Sequence, residues 1–387
     1  MRRKICLILI IFAAELILGR VVSAQGNLNI GMTDIHMFVD LKKIYNDNIY
    51  LEPKGEKNKD EISVVSPGIR LVTLRNVLAF NYNLDVFRYT GLTRENRLDH
   101  NFSGQLNLGH QEKISLNFQD DFKKTADPPD SEKTSKESRI RNKFKAAITS
   151  KSNLSALGLG YIHLRDDYQS SSLDLLDKSE QIFTLSGGYR ILPKTDLLIE
   201  NNIGVIKYDK NVLSDSWYEQ VRLGLAGGLT SKLTAAMKVG YQSRQYEKSG
   251  IENFTGLTSF LSLQHRITNR TRLDVFGERS VEESSYSTMN YYVLNRLGVR
   301  LDQKIWEKIF LTLESVLQKN IYPRESREDS LTAKRQDDFT SAALGLQYQL
   351  KGWFTPSLKY EYRQRNSNFD RFDYVDNLLQ FFISVVF

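Results

Sequence analysis

The chain closes on Leu379-Gln380-Phe381-Phe382-Ile383-Ser384-Val385-Val386-Phe387. Successive side chains of a strand point to opposite faces, so Leu379, Phe381, Ile383, Val385 and Phe387 would share one apolar face. Chain ends fray unless they are tied down. A free apolar edge strand is also a template for aggregation. A sequence that ends this way must therefore pair its last strand with something. A closed barrel supplies that partner by pairing the last strand with the first.

The other end carries a different signal. Arg2, Arg3 and Lys4 form a basic segment, Ile5 to Leu18 is mostly apolar, and Val22-Ser23-Ala24 gives a small-residue cleavage pattern. Residues 1–24 are thus expected to be a secretory signal peptide, leaving 25–387 as the mature chain. Glu15 and Arg20 interrupt the apolar run and disfavour a permanent membrane helix. Removing 1–24 lowers the formal charge from +7 to +4, too mild for a nucleic-acid footprint. The single cysteine, Cys6, lies inside the signal, so no disulfide, thiol nucleophile or cysteine-ligated metal is expected.

No later segment is apolar for long enough to span a membrane as a helix. Mean hydropathy is −0.40 and 26% of residues are charged, which suits a soluble protein. A membrane barrel gives the same averages, because half of each strand and the loops face water. The 19 tyrosines and 20 phenylalanines suit interfacial aromatic girdles.

Alternation recurs throughout. Ile35, Met37, Val39 and Leu41 mark the first strand; Leu78, Phe80, Tyr82, Leu84 and Val86 mark another. Pro67-Gly68 inside the second strand predicts an irregularity or bulge. About 18 strands (16–18) follow, joined by alternately long and short connections. Short ones lie near Leu74-Arg75, His110, Ser150, Pro193, Ser231, Asn269 and Gly352; long ones near 45–60, 123–138, 166–178 and 323–337. The expected fold is one all-β, transmembrane, antiparallel up-and-down β-barrel, with both ends on the periplasmic side. Ile148-Thr149-Ser150-Lys151 leading to Gly160-Tyr161 is echoed by Leu229-Thr230-Ser231-Lys232 leading to Gly240-Tyr241, a likeness between hairpins rather than a solenoid period.

A C-terminal strand ending in phenylalanine resembles the insertion signal of bacterial outer-membrane barrels, which makes Phe387 an assembly residue. Tyr45-Asn46-Asp47-Asn48-Ile49-Tyr50-Leu51 resembles the "YDDNIY" element of the Putative β-barrel porin 2 family, with Asn46 in place of the usual acid. Ser66-Pro67-Gly68 stands where that family has "SPG". The resemblance implies a large barrel in the outer membrane of a Gram-negative bacterium, often linked to exopolysaccharide synthesis and export.

Basic residues occupy the polar phase of several strands. Arg139, Arg141, Lys143 and Lys145 alternate with Ile140, Asn142, Phe144 and Ala146, which aims four cations into the lumen if the apolar phase meets lipid. Arg222, Lys238, Arg244, Arg296, Arg300, Lys359 and Arg363 hold the same phase elsewhere. Rows of Arg and Lys favour anions. Asp85, Glu200, Asp274, Glu278, Glu314 and Glu361 share that phase, so a wet, salt-bridged interior is the competing reading. Tyrosines near strand ends are expected in the girdles rather than in a sugar slide. His36, His100, His110, His163 and His265 are scattered and show no metal-ligand spacing. The acid pairs Asp120-Asp121, Asp166-Asp167 and Asp337-Asp338 read as solvated rim charges or divalent-ion contacts. Gly187-Gly188 and Gly227-Gly228 suggest kinks or close backbone approach.

The expectation is a channel for a hydrophilic solute, with no catalysis and no cofactor, most specifically one for exopolysaccharide export. A general or anion-selective diffusion porin is the alternative, and an outer-membrane enzyme or adhesion scaffold the second. Expected partners are outer-membrane lipid and lipopolysaccharide, the barrel assembly machinery and periplasmic polysaccharide-export proteins.

Overall fold

A computed structural model describes residues 28–73, 77–109, 113–128, 132, 136–286, 290–328 and 331–387. The expected signal peptide (1–24) and the turns expected at Leu74-Arg75 and His110 lie outside these residues. The strands are β1 (Leu28–Ile30), β2 (Thr33–Asn46), β3 (Asp60–Thr73), β4 (Leu78–Tyr89), β5 (Arg97–Leu108), β6 (Ile114–Thr125), β7 (Arg139–Lys151), β8 (Ser155–Tyr168), β9 (Lys178–Leu192) and β10 (Thr195–Tyr208). They continue as β11 (Ser216–Gly228), β12 (Leu233–Tyr246), β13 (Phe254–Arg266), β14 (Thr271–Glu283), β15 (Tyr291–Trp306), β16 (Ile309–Glu328), β17 (Leu331–Tyr348), β18 (Phe354–Ser367) and β19 (Tyr374–Val386).

β2 to β19 form a closed antiparallel ring of 18 strands, as the alternation predicts. The last strand pairs with the first, from Leu378↔Asn46 to Val386↔Phe38. Phe387 continues the ladder, its N–H donating to Met37 O at 2.8 Å. β2 outruns β19 by a few residues, and β1 folds back beside it (Leu28↔Ile35, Ile30↔Thr33) to occupy that stretch of edge. Leu28, the first described residue, and Phe387 both lie at the short-turn end.

Alternation sorts the two faces. Leu379 and Phe381 are exposed on the outer wall, beside Leu41 and Leu358. The pattern lapses at the tip, where Val385 is buried and Val386 exposed. The outer apolar band is uneven in height. On β9 it runs from Phe183 to Ile191, whereas on β14 and β15 it stops below Arg279 and Asn295.

One expectation changes. Residues 323–337 are not a loop: the hydrogen-bonded ladder of β16 and β17 extends through them to Glu328↔Leu331. The register shifts between Ile321 and Glu325, and Pro323, which has no N–H to donate, sits in that break. Pro67-Gly68 makes the expected irregularity, in the form of a gap in pairing rather than a bulge. The β3–β4 register is the same on both sides, and only the pairs at Ser66 and Pro67 drop out. The Phe38 ring lies across Gly68; a Cβ there would come within 2.1 Å of Phe38 Cζ, so any larger residue would displace that ring.

The segment Tyr45–Leu51 fastens the closing seam. Asn48 is fully buried; its Nδ2 donates to Val375 O (3.1 Å) and Glu52 O (2.8 Å), and its Oδ1 accepts from Glu52 N (2.9 Å). Asp47 accepts from the backbone and side chain of Asn377 (2.7 and 2.8 Å). Ile49 is buried against Ile62, Val64 and Tyr89. Asn48→Ala strips a buried backbone carbonyl of its partner and is expected to cost about 2 kcal/mol, read as a lower unfolding midpoint in denaturant gels. Deleting Phe387 is expected to reduce barrel yield in the outer membrane severalfold while leaving the ion selectivity of assembled barrels unchanged; normal yield would remove its assembly role.

Candidate functional site

The lumen is the site, and it differs sharply between its two ends. Lumen-facing groups nearer the short turns are accessible, including Phe260 (38% exposed), Gln105 and Arg272. At the long-connection end they are packed away: Tyr322, Asp337 and Asp376 are all 0% exposed.

Three things fill that end. First, Glu132, from the connection between β6 and β7, reaches across the lumen. Glu132 is 1% exposed and its carboxylate accepts from Ser284 Oγ (2.7 Å) and Ser285 N (2.6 Å) in the β14–β15 connection. Its backbone oxygen accepts from Arg365 of β18. Lys136 of the same connection sits over the Tyr89 ring (5.9 Å), and burial together with the nearby Arg97 guanidinium lowers its pKa.

Second, the adjoining ends of β14 and β15 are recessed. β13 and β14 pair only from Ser259↔Arg279 down to Arg266↔Arg272. Above that, Arg279 bridges the parted strands, donating to Leu257 O (3.0 Å) and Asn295 Oδ1 (2.7 Å). Tyr291 and Glu283 belong to the outward phase of their strands, yet they meet the inward side chains of β10, β12 and β13. Tyr246 stacks on Tyr291 (5.8 Å, 8°), Phe254 meets Tyr291 edge-on (5.7 Å), and Glu283 pairs with Arg244 and accepts from Tyr208 and Tyr246. The adjoining ends of β14 and β15 therefore lie inside the wall. Arg324 of β16 passes over them to bond Gly250 O (3.1 Å).

Third, an aromatic and ionic cluster completes the closure. Arg335 forms two hydrogen bonds to Asp337 (2.9 and 2.6 Å) and its guanidinium stands over Phe372 (3.5 Å), Tyr322 (4.8 Å) and Tyr286 (5.3 Å). Burial raises the Tyr286 pKa, opposed by Arg335. The girdle expectation for the tyrosines holds for some only. Tyr82, Tyr189, Tyr241, Tyr348 and Tyr360 are exposed outside, whereas Tyr89, Tyr168, Tyr218, Tyr246, Tyr291, Tyr292, Tyr322 and Tyr374 are buried in this outer section.

All eleven predicted basic residues hold the inward phase, but they do not form one positive surface. Arg141 pairs with Asp166 (3.6 Å), Arg222 and Lys238 share Glu200, Arg300 meets Asp302 (3.1 Å), Lys359 meets Glu361 (2.8 Å) and Arg363 pairs with Asp376. Arg244 and Arg139 are buried in the packed section rather than lining an accessible wall. Lys145 donates to Gln119 Oε1 (3.3 Å) and Arg296 to Gln318 Oε1 (2.8 Å). Among the described residues, Lys143, Lys145 and Arg296 have no carboxylate within ion-pair distance. The salt-bridged interior accounts for most of the basic phase, and the remaining charge concentrates on β7.

The other candidates are structural. His100 Nδ1 lies 3.0 Å from Tyr82 Oη on the outer wall. Asp120 accepts from Asn142, and Asp338 pairs with Lys319. Gly227, at φ 152°, lets β11 approach Lys194 O. No group of three or more His, Cys, Asp or Glu side chains suited to a metal occurs among the described residues.

A family model described as Putative beta-barrel porin 2 matches residues 35–386. The chain belongs to that family. It is an outer-membrane porin channel, so the long connections are extracellular and the short turns periplasmic. Pseudomonas aeruginosa OccK2 (OpdF) aligns with TM-score 0.52 at 10% identity, covering 91% of this chain and 98% of that one. A BenF-like porin from Pseudomonas fluorescens Pf-5 aligns with TM-score 0.50 at 13% identity, covering 94% and 100%. At such identities the likeness establishes the fold. A comparison with curated proteins gave no significant match.

Glu132→Ala removes the acceptor that holds the crossing connection to Ser284 and Ser285. It is expected to raise single-channel conductance in planar bilayers severalfold over wild type; an unchanged conductance would show that this connection does not limit the path.

Proposed function

We propose that this porin passes a hydrophilic solute passively, without a chemical step, and that its cargo is a secreted polysaccharide. The accessible, polar periplasmic half of the lumen carries the first part, since it admits solute from inside while the extracellular end narrows. Export follows from the family resemblance, a fold-level warrant. Internal pairing of lumen charge supports it, because a lumen that spends most of its cations on its own carboxylates exerts little selective field on small ions. An exporter of this form would work with periplasmic export proteins, be inserted by the barrel assembly machinery and rest against lipopolysaccharide. Disrupting the gene should abolish or reduce surface polymer, measured by carbohydrate staining and glycosyl composition; unaltered polymer would refute the cargo assignment.

A diffusion channel with mild anion preference is the second reading, favoured by Lys143, Lys145 and Arg296. In reversal-potential measurements, Lys143→Glu with Lys145→Glu should lower the chloride-to-potassium permeability ratio more than Arg300→Glu, whose charge Asp302 already offsets. Equal effects would show that the local ion pairs do not decide selectivity.

A further inference from the structure

The lumen wall is chemically two-sided. On β4 to β6 most inward positions in the accessible section are carboxamides, Asn81, Asn83, Asn101, Asn107, Asn117 and Gln119 among them. They are hydrogen-bonded along the wall. Asn83 and Asn101 both donate to Asp85 (2.9 and 2.8 Å), Asn117 donates to Asn107, and Gln119 donates to Asp121 (2.7 Å) while accepting from Lys145. A carboxamide offers two donors and an acceptor with two lone pairs, so each keeps capacity turned to the lumen.

The inward phenylalanines of the accessible section lie elsewhere in the ring. Phe260, Phe276, Phe310, Phe382 and Phe38 sit on β13, β14, β16, β19 and β2. The first of these strands face β4 to β6 across an 18-strand ring. Their rings lie against the wall: Phe276 covers Gly298, Phe38 covers Gly68, and Lys42 and Lys304 stand over Phe382 and Phe310 (5.5 and 5.9 Å). Phe260 is 38% exposed, with no cation or glycine stacked on it among the described residues. A phenylalanine left open in a wet lumen forgoes the burial that ordinarily stabilises it. Flat apolar faces on one side and unspent amides on the other are what a pyranose ring presents in reverse: an apolar C–H face and an equatorial fringe of hydroxyls.

We propose that the accessible half of the lumen binds a neutral, or sparsely charged, pyranose chain, C–H faces on the Phe260–Phe276 side and hydroxyls on the Asn101–Asn117 side. This deepens the channel reading above and rests on it. Neutral chains are favoured over polyuronates because, among the described residues, groups of both signs remain outside ion pairs, Lys143, Lys145 and Arg296 against Glu278 and Glu314, so the wall presents no single sign of charge.

The test is saturation-transfer NMR on the mature, full-length barrel in detergent micelles, with a linear neutral gluco-oligosaccharide as probe and a polyuronate of equal length as comparator. Transfer to sugar ring C–H protons is expected in wild type. It should fall severalfold in Phe260→Ala with Phe276→Ala and in Asn101→Leu with Asn117→Leu, and persist in Phe260→Tyr. Heat-modified gel mobility checks that each variant is folded. Absent transfer in wild type, transfer unaffected by folded wall variants, or binding of the polyuronate alone would each overturn the proposal. Planar-bilayer conductance of the same sample tests the channel reading separately. Conductance without sugar binding overturns only the site, and sugar binding without conductance overturns only passive passage.

Discussion

Lipid offers no hydrogen bonds, so each backbone N–H and C=O in the wall must find its partner within the sheet. Closure of β19 on β2 satisfies that demand, and the remaining features depend on it. β1 fills the edge where β2 outruns β19. The Asn48 side chain sews the extracellular end of the same seam through Val375 O. The departures from the ladder are compensated in kind: Arg279 lends guanidinium donors where β13 and β14 part, and Pro323, which has none to lend, sits where the register already slips.

Much of the wall was legible in the sequence because period-two alternation reports side-chain face directly. The closing strand, its pairing with the segment around Ile35 to Leu41 and the inward phase of the basic residues all follow from it. Phase reports only which side of its own strand a residue takes, not where that strand sits. Tyr291 keeps the outward phase of Val293 and Leu297, yet the recession of its hairpin buries it beneath Tyr246 and Phe254. The β16–β17 extension was hidden for a related reason: Pro323 and a run of charges resemble a loop, although an edge beyond the membrane can be as polar as any turn. Glu132 carried no local signal, since its partners lie more than 150 residues away.

Reading charges along a strand also overstated the positive character of the lumen. Cations on one strand face carboxylates on the next, as Glu200 shows by holding both Arg222 and Lys238. Cross-strand register, which single-strand patterns do not contain, turns a row of cations into a patchwork of pairs. What remains after pairing is mostly amide and aromatic, a surface better suited to hydroxylated solutes than to steering simple ions.

The recessed hairpin has a consequence outside the lumen. Polar groups appear on the outer wall at Arg279 and Asn295, lower on their strands than the corresponding border on β9. A membrane of uniform thickness cannot match both sides of such a barrel. It must thin beside β14 and β15, or the barrel must lean until the short side is covered, each at a modest cost per ångström of mismatch. A fold in the lumen thus sets an orientation in the bilayer, and the axis along which solute travels need not be the membrane normal.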